Sequence, residues 1–473
     1  MVFSSHIFLL YFLPAFLLLY FLVPAKWRNA VLLAASVIFY AWGAPDFVLV
    51  LLVSTVANFY IVKAMDKAQS RKTKRMWCAA ALTVSLGLLA WFKYANFFVD
   101  NVNALLTSLG LGVMGWTKVL LPIGISFFTF QSVTYVVDTY RGVNRPMKSL
   151  VDYVVYIIMF PQLIAGPIVR YNEIADQISA RRRLRWDECL QGFYRFVIGL
   201  SKKVLIADVI GRSVDMALGG DLAAMDTGSA WITIAAYTMQ LYFDFSGYSD
   251  MAIGLGRIMG FKFPENFNNP YVSTSVTEFW RRWHITLGTF MRNYLYIPLG
   301  GNRSGLWRTY FNLWVVFLLS GLWHGAGWNF VLWGAYHGIF LVVERMTGLN
   351  KGERLKWLRV PVTFVVVMVG WALFRIEDLG QCWTFITRLF AFDFTSLQFP
   401  ILDAQFLTTL GVALIFAFIT LFPFGRKLQQ WTFYTEYRPA QHIAVWAVAC
   451  IMFFFCLGAL TATDFSPFIY FRF

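Results

Sequence analysis

Ser320-Gly321-Leu322-Trp323-His324-Gly325-Ala326-Gly327-Trp328-Asn329 stands between two apolar runs, Leu313 to Leu319 and Phe330 to Tyr336. Both runs are too hydrophobic to be loops and read as membrane spans, which places His324 at membrane depth. An ionisable side chain there costs about 3 kcal/mol or more, so its default reading is a functional site. Histidine is also the side chain best suited to moving a proton near neutral pH. The surrounding glycines permit close backbone approach and an open cavity. The segment therefore predicts chemistry carried out inside a membrane.

Composition agrees. The 473-residue chain is 59% hydrophobic and 14% charged, whereas a soluble domain is about half apolar and a quarter charged. The abundant Phe, Trp and Tyr suit the two membrane interfaces. A net charge of +15 would fit a polyanion, but the basic residues cluster in short loops between apolar spans. The positive-inside rule explains that placement, so no nucleic-acid partner is expected. The cysteines (Cys78, Cys189, Cys382, Cys450, Cys456) are scattered, without disulfide or zinc spacing, and no metal site is expected.

A span needs about 20 apolar residues, fewer if it is shielded by protein. Eleven transmembrane helices are expected, near 7–24, 29–43, 46–62, 77–92, 119–137, 228–246, 310–323, 329–343, 360–374, 404–424 and 441–462. The first reads as a retained helix, because no basic stretch precedes it. Lys26 and Arg28 follow it, which puts the N-terminus outside, and Lys63 to Arg75, with six basic residues against one acid, is again cytoplasmic. The run Tyr153 to Val169 is apolar but basic on both flanks, and its centre, Phe160-Pro161-Gln162-Leu163-Ile164-Ala165-Gly166-Pro167, breaks a helix. It reads as a re-entrant segment. Residues 170–203 read as an amphipathic cytoplasmic region carrying Arg195, Lys202 and Lys203. The whole chain, 1–473, reads as a single all-α polytopic membrane domain.

The densest polar region is 237–308. Tyr242-Phe243-Asp244-Phe245-Ser246-Gly247-Tyr248-Ser249-Asp250 puts carboxylates and hydroxyls in or beside a span, with Asp244 and Tyr248 on one helix face. It is either a substrate-contacting cluster or a hydrogen-bond network holding helices together. Gly256 to Gly260 forms a GxxxG, read as a site of close helix packing. In Glu278-Phe279-Trp280-Arg281-Arg282-Trp283-His284, Glu278 is spaced to pair with Arg281 or Arg282. The tryptophans suit an interface, and His284 is a second pocket candidate. Arg281, Arg282, Arg292 and Arg303 make a cationic surface suited to an anionic donor. Asn329 and His337 lie close to His324 in sequence. No GxSxG elbow, Cys/His nucleophile signature or phosphate loop is present. A histidine base without a protein nucleophile motif fits direct acyl transfer, although histidine can itself become acylated.

Leu322-Trp323-His324-Gly325, Glu278 to His284, Tyr242 to Asp250, Glu265-Asn266-Phe267-Asn268-Asn269-Pro270-Tyr271 and Gly370-Trp371-Ala372-Leu373-Phe374-Arg375 together resemble the membrane-bound O-acyltransferases (MBOAT), and within them the bacterial branch serving alginate O-acetylation. Lys93-Tyr94-Ala95-Asn96-Phe97, Leu121 to Phe127, Gly166-Pro167 and the ending Pro467 to Phe473 fit as well. The resemblance implies a ring of helices around a central pore, with His324 matching the family histidine and His284 a second one. It implies acetyl-CoA as acyl donor, no metal, a multi-pass bacterial inner-membrane location, and surrounding lipid. As partners it implies a periplasmic polysaccharide O-acetyltransferase or acetyl-relay protein, together with a polysaccharide synthesis and export complex. Asp244, Tyr248, Asn329, Arg281, Arg282 and His337 are the expected supporting or substrate-binding residues. Alginate and cellulose are not separable by these motifs. Transfer from a carrier-protein thioester, as in teichoic-acid D-alanylation, is the alternative chemistry, and a non-catalytic export channel the alternative class.

Overall fold

The computed structural model describes residues 2–349, 355–394, 402–462 and 468–469, and among these every regular element is helical. Five helices are long and apolar enough to cross a membrane: Pro45–Lys67, Arg71–Ser108, Lys356–Arg375, Ala404–Leu421 and Pro439–Ala462. Ile7–Leu22 is a shorter apolar helix. On the first of these, Leu49 and Val53 are exposed while Leu51, Thr55, Asn58 and Phe59 are buried. That pattern is one face against protein, carrying the polar Thr55 and Asn58 beside Leu51 and Phe59, and an apolar face outward, as lipid requires. The expected span at 119–137 starts late, because the helix runs Ile125–Tyr140. Pro122 and Gly124 precede it, and Gly124 adopts φ +77, where a Cβ would lie 2.6 Å from the Leu163 carbonyl oxygen.

The chain forms two compact units. The first comprises residues up to Arg185 with Met259–Phe263. In it, residues 153–169 are all buried and the helix breaks at Met159, leaving Leu150–Ile158 and Phe160–Leu163. Nine residues rise about 14 Å, less than half of an apolar core about 30 Å thick. Backbone groups freed at the break find partners. The Phe160 amide donates to Ser36 Oγ at 3.1 Å, Gln162 Nε2 donates to the Tyr156 carbonyl at 2.6 Å, and the Tyr156 hydroxyl reaches the Val169 carbonyl at 3.2 Å. Buried non-helical backbone is tolerated at depth only when satisfied in this way.

The second unit comprises Trp186–Ile258 and the chain from Pro264 onward. Its axis is the 32-residue helix Thr227–Ile258, almost wholly buried, packed along Trp186–Ser201. Glycines set that contact. A Cβ on Gly199 would sit 2.5 Å from the Gly247 carbonyl oxygen, and one on Gly254 would sit 2.6 Å from that of Gly192. The two pairs are each seven residues apart, two turns of helix. The GxxxG reading is corrected accordingly: Gly260 lies beyond the helix end, with φ +83, and the close packing is made by Gly247 and Gly254. Gly199→Ala is expected to lower thermal stability even though Ala is the better helix former by about 1 kcal/mol. Overpacking, about 1–3 kcal/mol, outweighs propensity here. Gly87→Ala, in a helix with open space around it, is expected not to destabilise. Paired thermal unfolding of the purified variants checks both.

The amphipathic cytoplasmic reading of 170–203 is also corrected at its end. Arg195 and Lys203 are buried. Arg195 bonds Asp250 Oδ1 at 2.7 Å and Glu265 at 2.5 Å, Lys202 bonds Asp250 Oδ2 at 2.6 Å, and Lys203 bonds Asp208 at 2.6 Å and Asp244 at 2.8 Å. The polar face of this helix meets carboxylates of the central helix, which periodicity alone cannot distinguish from water.

Candidate active site

His284 stands between the helices Val276–Arg282 and Ile285–Phe290. Its backbone adopts φ +45, ψ +53, the left-handed region that a side chain with a Cβ enters at a cost. Two backbone bonds hold it there: the Asn268 amide donates to the Arg282 carbonyl and the Ile285 amide to the Asn266 carbonyl, both at 2.9 Å. The imidazole is 1% exposed. Its Nδ1 lies 3.0 Å from Asn266 Oδ1, which also accepts from the Thr286 amide at 3.3 Å and the Thr286 hydroxyl at 2.9 Å. Asn266 Nδ2 donates to Ser249 Oγ at 3.1 Å. The Phe245 ring meets the imidazole edge-on at 4.8 Å.

His324 is the last residue of the helix Leu306–His324, and Gly325 leaves it in an extended conformation. The helix packs closely on Trp328–Thr347: a Cβ on Gly321 would lie 2.2 Å from the Phe330 carbonyl oxygen, and one on Gly334 would lie 2.4 Å from that of Phe317. His324 is thereby buried among the rings of Trp323, Trp333 and Phe374, at 4.9, 5.1 and 5.3 Å. The His284 and His324 rings are 6.4 Å apart, centre to centre. Two histidines forty residues apart in the chain are thus brought close together.

The other expected residues are placed differently. Asp244 is tied to Lys203 and accepts the Ile469 amide at 2.9 Å. Tyr248, one turn on, packs against Phe468 at 4.8 Å. That helix face therefore meets residues 468–469; the rest of the ending Pro467 to Phe473 lies outside the described residues. Phe245, between them, is the member of the cluster that touches His284. Asn329 is buried and its Nδ2 lies 3.4 Å from the Leu373 carbonyl, tying two helices together. Arg282 pairs with Glu278 at 2.8 Å, as its spacing predicts, while Arg281 is exposed. Trp283 is buried against Trp371 and Phe267, at 4.9 and 5.0 Å, so it is a core wall where the sequence suggests an interface. His337 is fully buried against Trp280 and Trp333, at 5.0 and 5.2 Å; Trp333 touches both His324 and His337.

A cavity of about 280 Å³ opens beside this constellation, lined by Arg195, Lys202, Asp250, Ser249, Asn266 and Phe433 among others. Asn266 and Ser249 belong both to its wall and to the chain of hydrogen bonds holding His284. Reasoning from the sequence missed Asn266, Ser249, Thr286 and Phe245 as site residues. The available signal was the polar stretch Glu265 to Asn269, in which an asparagine stands eighteen residues before His284. Among the described residues no group of His, Cys, Asp or Glu is placed to hold a metal ion.

Residues 35–374 match the membrane-bound O-acyltransferase family. The chain is 43% identical to the Probable alginate O-acetylase AlgI of Pseudomonas putida over the full length of both. It is 46% identical to the protein of that name from Pseudomonas aeruginosa, over 90% of this chain and 82% of the other. It is 37% identical to the Peptidoglycan O-acetyltransferase of Helicobacter pylori, over 80% of this chain and 78% of the other. With its buried histidine pair, its apolar spans and these relatives, this chain belongs to the membrane-bound O-acyltransferase family.

Proposed function

We propose that this protein takes acetyl from cytoplasmic acetyl-CoA and passes it across the inner membrane for O-acetylation of an exopolysaccharide, alginate or cellulose, by way of a periplasmic partner within a synthesis and export complex. The observation that carries the reading is the buried His284–His324 pair, 6.4 Å apart. Relatives named for alginate O-acetylation match along nearly the whole chain and support the choice of polymer. The eleven crossings and the re-entrant segment read from the sequence belong to this proposal, as does the treatment of 1–473 as one functional domain.

In the proposed step, one imidazole takes the proton of the acceptor hydroxyl as its oxygen attacks the thioester carbonyl. The tetrahedral intermediate collapses, the C–S bond breaks, and the departing thiolate takes the proton from the imidazolium. This is general acid–base catalysis, worth about 10²- to 10⁴-fold. His324 serves as base or relay and His284 as the second pocket histidine. Asp244, Tyr248, Asn329 and His337 support the walls, and exposed Arg281 is available to an anionic donor. The charges lining the cavity are already paired with one another, so the cavity suits an uncharged stretch of the thioester donor better than its phosphates.

The test is transfer of labelled acetyl from acetyl-CoA by the purified protein in lipid, offered alginate, cellulose or peptidoglycan fragments with their candidate periplasmic partners. Labelled polymer is expected with an exopolysaccharide. Label arriving only from a carrier-protein thioester would overturn the donor, and label on peptidoglycan alone would overturn the acceptor.

A further inference from the structure

The amide of Asn266 is oriented by groups other than the histidine it faces. The Thr286 backbone N–H can only donate, and it points at Asn266 from 3.3 Å, with the Thr286 hydroxyl at 2.9 Å. The atom that receives them is the amide oxygen. The amide nitrogen lies on the other side, donating to Ser249 Oγ at 3.1 Å. Asn266 is thus set without reference to His284, and a flipped amide would turn two donors against the Thr286 N–H.

His284 Nδ1 lies 3.0 Å from that same oxygen. A lone pair on Nδ1 would face the lone pairs of the oxygen, so Nδ1 carries hydrogen. The ring is 1% exposed, and burying a charge without an opposite partner is costly, so the resting ring is neutral. A neutral imidazole holds one hydrogen. Nε2 therefore has the lone pair, and that atom is buried without a hydrogen-bond partner among the described residues. The backbone adds to the constraint: the Asn266 carbonyl accepts the amide of Ile285, the residue next to His284. One asparagine thus grips the main chain beside His284 and the ring itself.

We infer that Asn266 is a positioning residue that fixes His284 as the Nδ1–H tautomer and so makes Nε2 a proton acceptor at rest. Because Asn266 is neutral, it orients the ring without adding a charge that would hold an accepted proton in place. Its importance for turnover rests on the reading above, in which His284 takes part in transfer; its effect on the tautomer does not.

The experiment uses the full chain, labelled with [15N]histidine and held in lipid, with the His284 signals identified by their loss in His284→Gln. Solid-state NMR separates the hydrogen-bearing ring nitrogen from the one with a lone pair, and couplings to the ring protons tell which is which. Wild type is expected to show Nδ1–H and a bare Nε2. In Asn266→Leu the Nε2–H form is expected to appear and acetyl transfer to fall about 10²- to 10⁴-fold, the range for losing a base or mis-setting its tautomer. Asn266→Asp keeps an acceptor for the same three donors, so it is expected to retain hydrogen on Nδ1 and to transfer faster than Asn266→Leu but slower than wild type, because its charge holds an accepted proton in place. Nε2–H in wild type, or an unchanged tautomer in Asn266→Leu, overturns the inference. The expected tautomers together with wild-type transfer by His284→Gln leave the positioning intact and overturn the proposed role of His284.

Discussion

His324→Ala is expected to lower acetyl transfer by about 10²- to 10⁴-fold, and adding His284→Gln to cost little more. The two rings lie 6.4 Å apart and, on the reading proposed here, serve one proton movement. Groups that act as a unit show grossly non-additive losses, because the first deletion already removes the step that the second would weaken. Independent groups would instead multiply their losses. His324→Gln, which keeps more of the packing against Trp333 and Phe374, is expected to be nearly as inactive. Rates normalised to the amount of folded protein check all four forms.

The second large effect is on stability. Lys203→Met is expected to cost about 3–5 kcal/mol, the usual result of removing one partner from a buried ion pair. The side chains of Lys203 and Asp244 are 4% and 2% exposed and bond at 2.8 Å. Without the lysine, Asp244 keeps only the Ile469 amide among the partners named here, and its charge is left deep in the unit. Asp208, the other partner, is more exposed and can be solvated. Lys203→Met combined with Asp244→Asn is expected to regain much of the loss, because both charges then leave together and Asn still offers an oxygen to Ile469. Thermal midpoints of the two variants, with wild type, test this; equal losses in single and double variants would contradict it.

Much of the architecture was legible because lipid imposes long apolar runs. The expected spans near 46–62, 77–92, 360–374, 404–424 and 441–462 coincide with the helices long and apolar enough to cross a membrane. His324 stood out because glycines on both sides of an ionisable residue rarely serve a plain span. The break around Phe160 was visible in its prolines. What was hidden depends on partners far away in the chain. The polar face of Trp186–Ser201 is amphipathic in the same way whether it meets water or the carboxylates of Thr227–Ile258. The packing glycines recur at seven residues on two separate helices, while the more familiar GxxxG lay at a helix end. Asn266 meets His284 only because two short backbone bonds close a loop over it. Phe245 sits in a conspicuous polar cluster, yet it is this apolar member whose ring meets His284.

The most direct test of the central claim is donor turnover by purified protein in lipid: release of free thiol from acetyl-CoA in the presence of acceptor, wild type beside an equally abundant and equally stable His324→Ala. The account predicts acceptor-dependent turnover by wild type and a loss of at least about 10²-fold in the variant. Turnover by His324→Ala at the wild-type rate would contradict it and move the chemistry away from the histidine pair.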